Sequence, residues 1–174
     1  MFHHDGQAYL SDQCDALHIQ ARLLAHRYFD RVRRQAFLRG IWYTLSGRSI
    51  RLLRLSDLPG ADIGGAARPG ETGEVHMHEI IGSEGRADDF DCCFAPLREQ
   101  DRERWVTLAA LVIEGRELPP VELVDVGGKY YIYDGHHRIS VAQALGETTI
   151  KAHIWLTNAA PACGQLSNPL PIVP

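Results

Sequence analysis

Residues 131–146 read Tyr131-Ile132-Tyr133-Asp134-Gly135-His136-His137-Arg138-Ile139-Ser140-Val141-Ala142-Gln143-Ala144-Leu145-Gly146. Aromatic and β-branched residues open the stretch as a strand, and Asp134-Gly135 breaks it. The remainder is an amphipathic helix that stops at Gly146. A strand that turns through glycine into a helix leaves free N–H groups at the helix start. Those groups and the helix dipole favour an anion there. His136, His137 and Arg138 add side-chain donors suited to phosphate.

Upstream, Val121–Val126 and Lys129–Tyr133 read as two strands joined by Gly127-Gly128, a strong hairpin signal. Downstream, a further strand is expected over Ile150–Leu156. Leu118-Pro119-Pro120 is a rigid connector, preceded by a helix expected from Pro96 to Glu114 with Gly115 as its stop. Glu74–Ile81 alternates and predicts a strand, followed by a loop over Gly82-Ser83-Glu84-Gly85-Arg86. Residues 58–73, rich in Gly, Pro and Ala, read as a linker. In front of it, residues 1–57 form an arginine-rich arm. After a loose start over 1–12, the arm is helical from about Gln13 to Tyr43. Its apolar face is Leu17, Ala21, Leu24, Tyr28, Val32 and Ala36, with a stop or kink at Gly40. Residues 157–174 read as a Pro-rich tail.

The net charge of −4 conceals an asymmetry: residues 1–55 carry nine arginines, no lysine and four acids, whereas residues 56–174 carry nine Lys or Arg and eighteen acids. A basic arm on an acidic body implies either self-docking or an anionic partner. With 174 residues, 45% apolar and 23% charged, the chain suits one globular domain of ordinary composition. Its apolar runs are too short to span a bilayer, and its first residues lack the pattern of a secretory signal. Adjacent Cys92-Cys93 are not expected to pair easily with each other, and four cysteines without a C-x-x-C spacing fit a reducing cytoplasm.

The order of elements resembles the ParB/sulfiredoxin-like fold. The residues that carry the resemblance are Leu118-Pro119-Pro120-Val121-Glu122-Leu123, Lys129 to Arg138, Ala142 to Gly146 and Ile150 to Ile154, within a domain spanning 74–156. The fold implied is α/β (α+β), a small mixed sheet with flanking helices, to which the arm is an addition. The resemblance implies nucleotide phosphates at Gly135–Arg138, with Ser83 and Arg86 lining the same cleft. The aspartate-glycine-histidine run is closest to the free-serine kinase branch, which implies catalytic carboxylates at Asp134 and, in the loop after the first strand, Glu84, with Mg²⁺ as helper. Partition ParB proteins have an acid and an arginine where this chain has His136 and His137. Sulfiredoxins need cysteine at the place of His136, so their catalysis is not expected.

Other readings stand beside these. Asp134 could simply cap the helix while Arg138 pairs with a surface acid. His76 and His78, on one face of a strand, could chelate a metal or lie half-exposed. Cys92-Cys93 has no basic neighbour in sequence, so reactive thiol chemistry is not expected. The arm could bind DNA through phosphates, or pack its apolar face on the body or on a second copy as a homodimer. The preferred function is nucleotide or phosphate-ligand binding with phosphotransferase or nucleotide-hydrolase activity. A DNA-associated regulatory protein is the alternative. A nuclease ranks last, because no carboxylate–histidine cluster has two-metal spacing.

Overall fold

In a computed structural model, described over residues 5–58 and 68–157 (side chains over 15–58 and 70–157), the chain is of the α/β class. Its elements are α1 (Asp5–Leu45), β1 (Leu53–Arg54), β2 (Arg68–His76), β3 (Ile80–Ser83), α2 (Arg102–Ile113), β4 (Val121–Asp125), β5 (Tyr130–Asp134), α3 (His136–Leu145) and β6 (Thr149–Leu156). The six strands form one mixed sheet in the order β1-β3-β5-β4-β6-β2. β3 runs parallel to β1 and β5, β4 runs parallel to β6, and β5–β4 and β6–β2 are antiparallel.

The hairpin forms where the sequence places it. Gly127 and Gly128 both take positive φ, 65° and 81°, as a tight turn between twisted strands requires. Two expectations are corrected beside it. The strand expected over Glu74–Ile81 is interrupted by a 3-10 turn at Met77–Glu79, which splits it between β2 and β3. Residues 68–73, read as linker, belong to β2 and pair with β6 through a bulge between Pro69 and Thr72. Partner-strand pairing outweighs their poor strand propensity. Residues 59–67 and the tail expectation, apart from Thr157, lie outside the described residues.

One face of the sheet contributes Ile80, Val121, Leu123, Ile132 and Ala152 to a core capped by Ile139 of α3 and by Phe90 and Phe94. Leu55, Val124, Val126 and Tyr131 form a smaller cluster on the other face. A third cluster joins the helices: Ala21, Ala25, Phe29, Val32 and Ala36 of α1 meet Trp105, Val106, Ala109 and Ala110 of α2 and Val141 of α3. The Phe29 and Trp105 rings pack edge-to-face at 5.5 Å.

α1 is one helix of 41 residues, about 60 Å at 1.5 Å per residue, and it runs through Gly40. A single glycine costs a helix only about 1 kcal/mol, and the contacts of Ala36, Arg39 and Tyr43 on the body outweigh that. Its docked face is rotated from the expected stripe. Ala25 and Phe29 are buried while Leu17 and Leu24 are exposed, because small alanines allow close approach to α2. The charge asymmetry is explained by this docking. Arg22, Arg33, Arg39, Arg51 and Arg54 pair with Glu103, Glu99, Asp91 and Asp88 of the body. No helix of the described residues is long and apolar enough to cross a membrane.

Candidate functional site

β3 and β5 are parallel neighbours, with Ser83 opposite Ile132, so their carboxyl ends emerge side by side. Glu84 follows β3 and Asp134 ends β5; both are exposed. The topology thus brings Ser83, Glu84, Arg86 and Asp134–Arg138 to one end of the sheet. The Glu84 N–H donates to the Ile132 carbonyl at 2.9 Å, which anchors the loop, while the Glu84 carboxylate has no partner among the described residues.

Gly135 is the pivot between β5 and α3. It sits at φ 99°, ψ 20°, and a Cβ there would lie 2.6 Å from Val121 Cγ1. No side chain caps α3, so Asp134 is not the cap that one reading allowed. Instead its carboxylate, 60% exposed, accepts from Arg138 at 2.5 Å. The same guanidinium donates to the carbonyls of Pro119 (2.9 Å) and Pro120 (2.5 Å), clamping the Pro-Pro connector onto the helix. The cavity that Arg138 borders, about 370 Å³, lies on the connector's side with Leu118, Ile150 and Lys151; Ser83, Glu84 and Asp134 do not line it.

The two imidazoles point inward. His136 and His137 are 5% and 3% exposed. Ser83 Oγ and His136 Nε2 share a hydrogen bond of 2.7 Å, and the Arg86 N–H donates to the same Oγ at 3.0 Å. Phe90 stacks on His136 at 5.7 Å and meets His137 edge-on at 5.3 Å. His137 Nε2 lies 3.4 Å from Asp101 Oδ1 and from the Arg86 guanidinium, which pairs with Asp89 at 2.7 Å. Burial lowers both histidines to about 4, assisted by the Arg86 charge and opposed by Asp134 at His136 and Asp101 at His137. They are therefore neutral at pH 7 and face the interior, so neither presents a cationic imidazole at the turn. Their role in this geometry is to bind the 83–86 loop to the first turn of α3.

His137 Nδ1 and Asp101 Oδ2 are buried with no hydrogen-bond partner among the described residues. Asp89, Phe90 and Asp101 escaped the sequence reading. The signal available for Asp89 and Phe90 was the acid-rich run Asp88-Asp89-Phe90-Asp91 just before Cys92-Cys93, and Asp101 carried none.

His76 ends β2 and His78 lies in the 3-10 turn, so they do not share a strand face as expected, although their rings approach to 5.3 Å. Among the described residues no group of three or more His, Cys, Asp or Glu is placed to hold a metal.

The chain matches no protein-family model and no curated protein. Among solved structures it is similar to sulfiredoxin from Arabidopsis thaliana, at 24% identity over 49% of this chain and 84% of that chain, with a TM-score of 0.38.

Proposed function

We propose that the Asp134–Arg138 turn binds a nucleotide or another phosphate-bearing ligand, with Glu84 and Asp134 as the carboxylates that would carry Mg²⁺ or orient an acceptor hydroxyl. The observation that carries this reading is the start of α3. The helix begins at a left-handed glycine with no side-chain cap, beside the carboxyl ends of two parallel strands. Its first N–H groups, from His136 to Arg138, are suited to phosphate oxygens. Arg138 and Arg86 flank them with positive charge, 16% and 35% exposed. The exposed Glu84 and Asp134 are the acids that a phosphoryl-transfer or hydrolase chemistry would require. Neutral, buried His136 and His137 hold the loops in register without competing for the anion.

Isothermal titration calorimetry with a nucleotide panel, with and without Mg²⁺, tests the proposal. Saturable binding is expected, weakened by Arg138→Ala. Because Arg138 also clamps Pro119 and Pro120, Glu84→Gln serves as a second variant. Its side chain is exposed, so the fold should be unchanged while any Mg²⁺ enhancement is lost. No heat at millimolar nucleotide, or equal binding by the Arg138→Ala protein, removes this reading.

A further inference from the structure

Cys92 and Cys93 take no part in the phosphate reading. They are the two central residues of a turn closed by the Phe94 N–H donating to the Asp91 carbonyl at 2.8 Å. Asp91, fully buried, fixes that turn. Its Oδ1 accepts from the N–H groups of Cys93 (2.9 Å) and Ala95 (2.8 Å), and its Oδ2 accepts from Arg39 Nε (2.9 Å). Phe94 is held at φ 59°, in the left-handed region that non-glycine residues rarely enter. The local sequence offers the thiols no cation, but the fold supplies one: α1 lays Arg39 and, one turn on, Tyr43 against the loop. What this packing corrects is the expectation that the thiols have no basic neighbour. Cys92 Sγ lies 3.7 Å from the Tyr43 hydroxyl. Cys93 borders a cavity of about 480 Å³ between α1 and α3, with Val32, Gln35, Phe94, Ser140 and Gln143 among its walls. Both cysteines are half-buried free thiols, accessible to small reagents and shielded from large ones.

From this geometry we propose that Cys92-Cys93 is a redox modification site, oxidised by small hydroperoxides to a disulfide between the two adjacent residues. In the first step the Cys92 thiolate attacks the terminal peroxide oxygen. The O–O bond breaks, Cys92 becomes a sulfenic acid, and the departing alkoxide or hydroxide takes a proton to leave as alcohol or water. In the second step the Cys93 sulfur attacks the Cys92 sulfur. The S–O bond breaks, and hydroxide leaves as water with the Cys93 thiol proton. The dithiol is oxidised by two electrons and the peroxide is reduced by two. The ring joining neighbouring residues is small, so adjacent cysteines do not readily pair, and the Asp91–Phe94 turn that carries both residues is the feature that favours closure here.

The surroundings support the first step. A hydrogen bond from the Cys93 thiol, the Tyr43 hydroxyl and the Arg39 charge lower Cys92 to about 7, against burial and Asp91. Cys93 is pushed up by its hydrogen bond to Cys92 and by burial, so it remains the proton-bearing partner. Tyr43, pushed up to about 12 by burial and by Cys92, keeps its proton, so its hydroxyl accepts from the Cys92 thiol and can donate to the thiolate.

The test treats the full-length reduced chain with hydrogen peroxide and maps the product by mass spectrometry. The expected product is a Cys92-Cys93 peptide lighter by two hydrogens and restored by a reductant. In Cys93→Ser the second step is blocked, and Cys92 should be trapped as its sulfenic acid by dimedone. Iodoacetamide labelling of Cys92 should titrate near its lowered value, and Tyr43→Phe should slow it several-fold at pH 7. A sulfinic acid on Cys92 or a disulfide between molecules as the main product would overturn the proposal. So would labelling that titrates like an ordinary free thiol. If Cys93→Ser does not fold, the mapping of the unmodified chain decides by itself.

Discussion

The Ser83 hydroxyl and His136 Nε2 lie 2.7 Å apart, both sealed from solvent, and so the end of β3 is joined to the first turn of α3. The same oxygen receives the Arg86 N–H. Ser83→Ala removes a partner from two buried groups at once, and each group left unsatisfied costs about 1–3 kcal/mol. We expect a lower urea midpoint at unchanged slope. A variant as stable as the parent would show that the hydroxyl does not organise this end of the sheet.

Gly135→Ala tests the pivot. The side chain would be placed in a left-handed conformation and within 2.6 Å of Val121 Cγ1. Backbone strain and overpacking together give roughly 2–5 kcal/mol of destabilisation. Combining it with Val121→Ala should remove the 2.6 Å contact while leaving the 2.9 Å approach to the residue 121 Cβ and the strain, so thermal melting of the double variant should show non-additivity. Strict additivity would mean that the two residues do not meet.

Stability should fall on acidification, over a defined window. His136 and His137 have folded values of about 4 against an ordinary 6.5, so below 6.5 the unfolded chain binds protons that the folded chain refuses. Their contribution is complete above pH 6.5 and declines between pH 6.5 and about 4. The ceiling is about 3 kcal/mol per histidine. Urea titrations across this range should show the decline, and a His136→Gln/His137→Gln chain should show a shallower one. An equal slope in both chains would assign the effect to carboxylates elsewhere.

The Arg39–Asp91 pair should behave as a buried ion pair. Asp91 is fully buried and Arg39 is 19% exposed. Asp91→Ala leaves the guanidinium without its partner and two N–H groups without an acceptor, a change of about 3–5 kcal/mol. Protease susceptibility near Cys92 should rise in parallel. A loss below about 1 kcal/mol would place this pair with surface salt bridges.

Much of the sheet end was legible in residues 118–156, because hairpin glycines, a strand-to-helix glycine and a Pro-Pro connector are local signals. The α/β class and the anion-suited helix start followed from them. The inward turn of His136 and His137 was not legible. Their partners, Ser83, Phe90 and Asp101, are 35 or more residues away in sequence, and a histidine at a helix start reads as polar whichever way it faces. Cys92 gained a cationic neighbour at Arg39 for the same reason: helix docking, not sequence proximity, made the contact. The 68–73 segment was misread because its pairing with β6 is non-local, and composition reports only local preference.

The docking of α1 has a consequence for where this molecule can be divided. Trp105 and Val106 are fully buried beneath it, and Glu99, Glu103, Asp88 and Asp91 find their cations on it or in the chain just after it. A fragment starting at residue 58 would present an open indole surface and three acids, Asp88, Asp91 and Glu103, stripped of their cations, while Glu99 would keep only Arg102. The smallest piece of this chain able to stand alone therefore includes the helix that, from its composition, looked most like a detachable appendage.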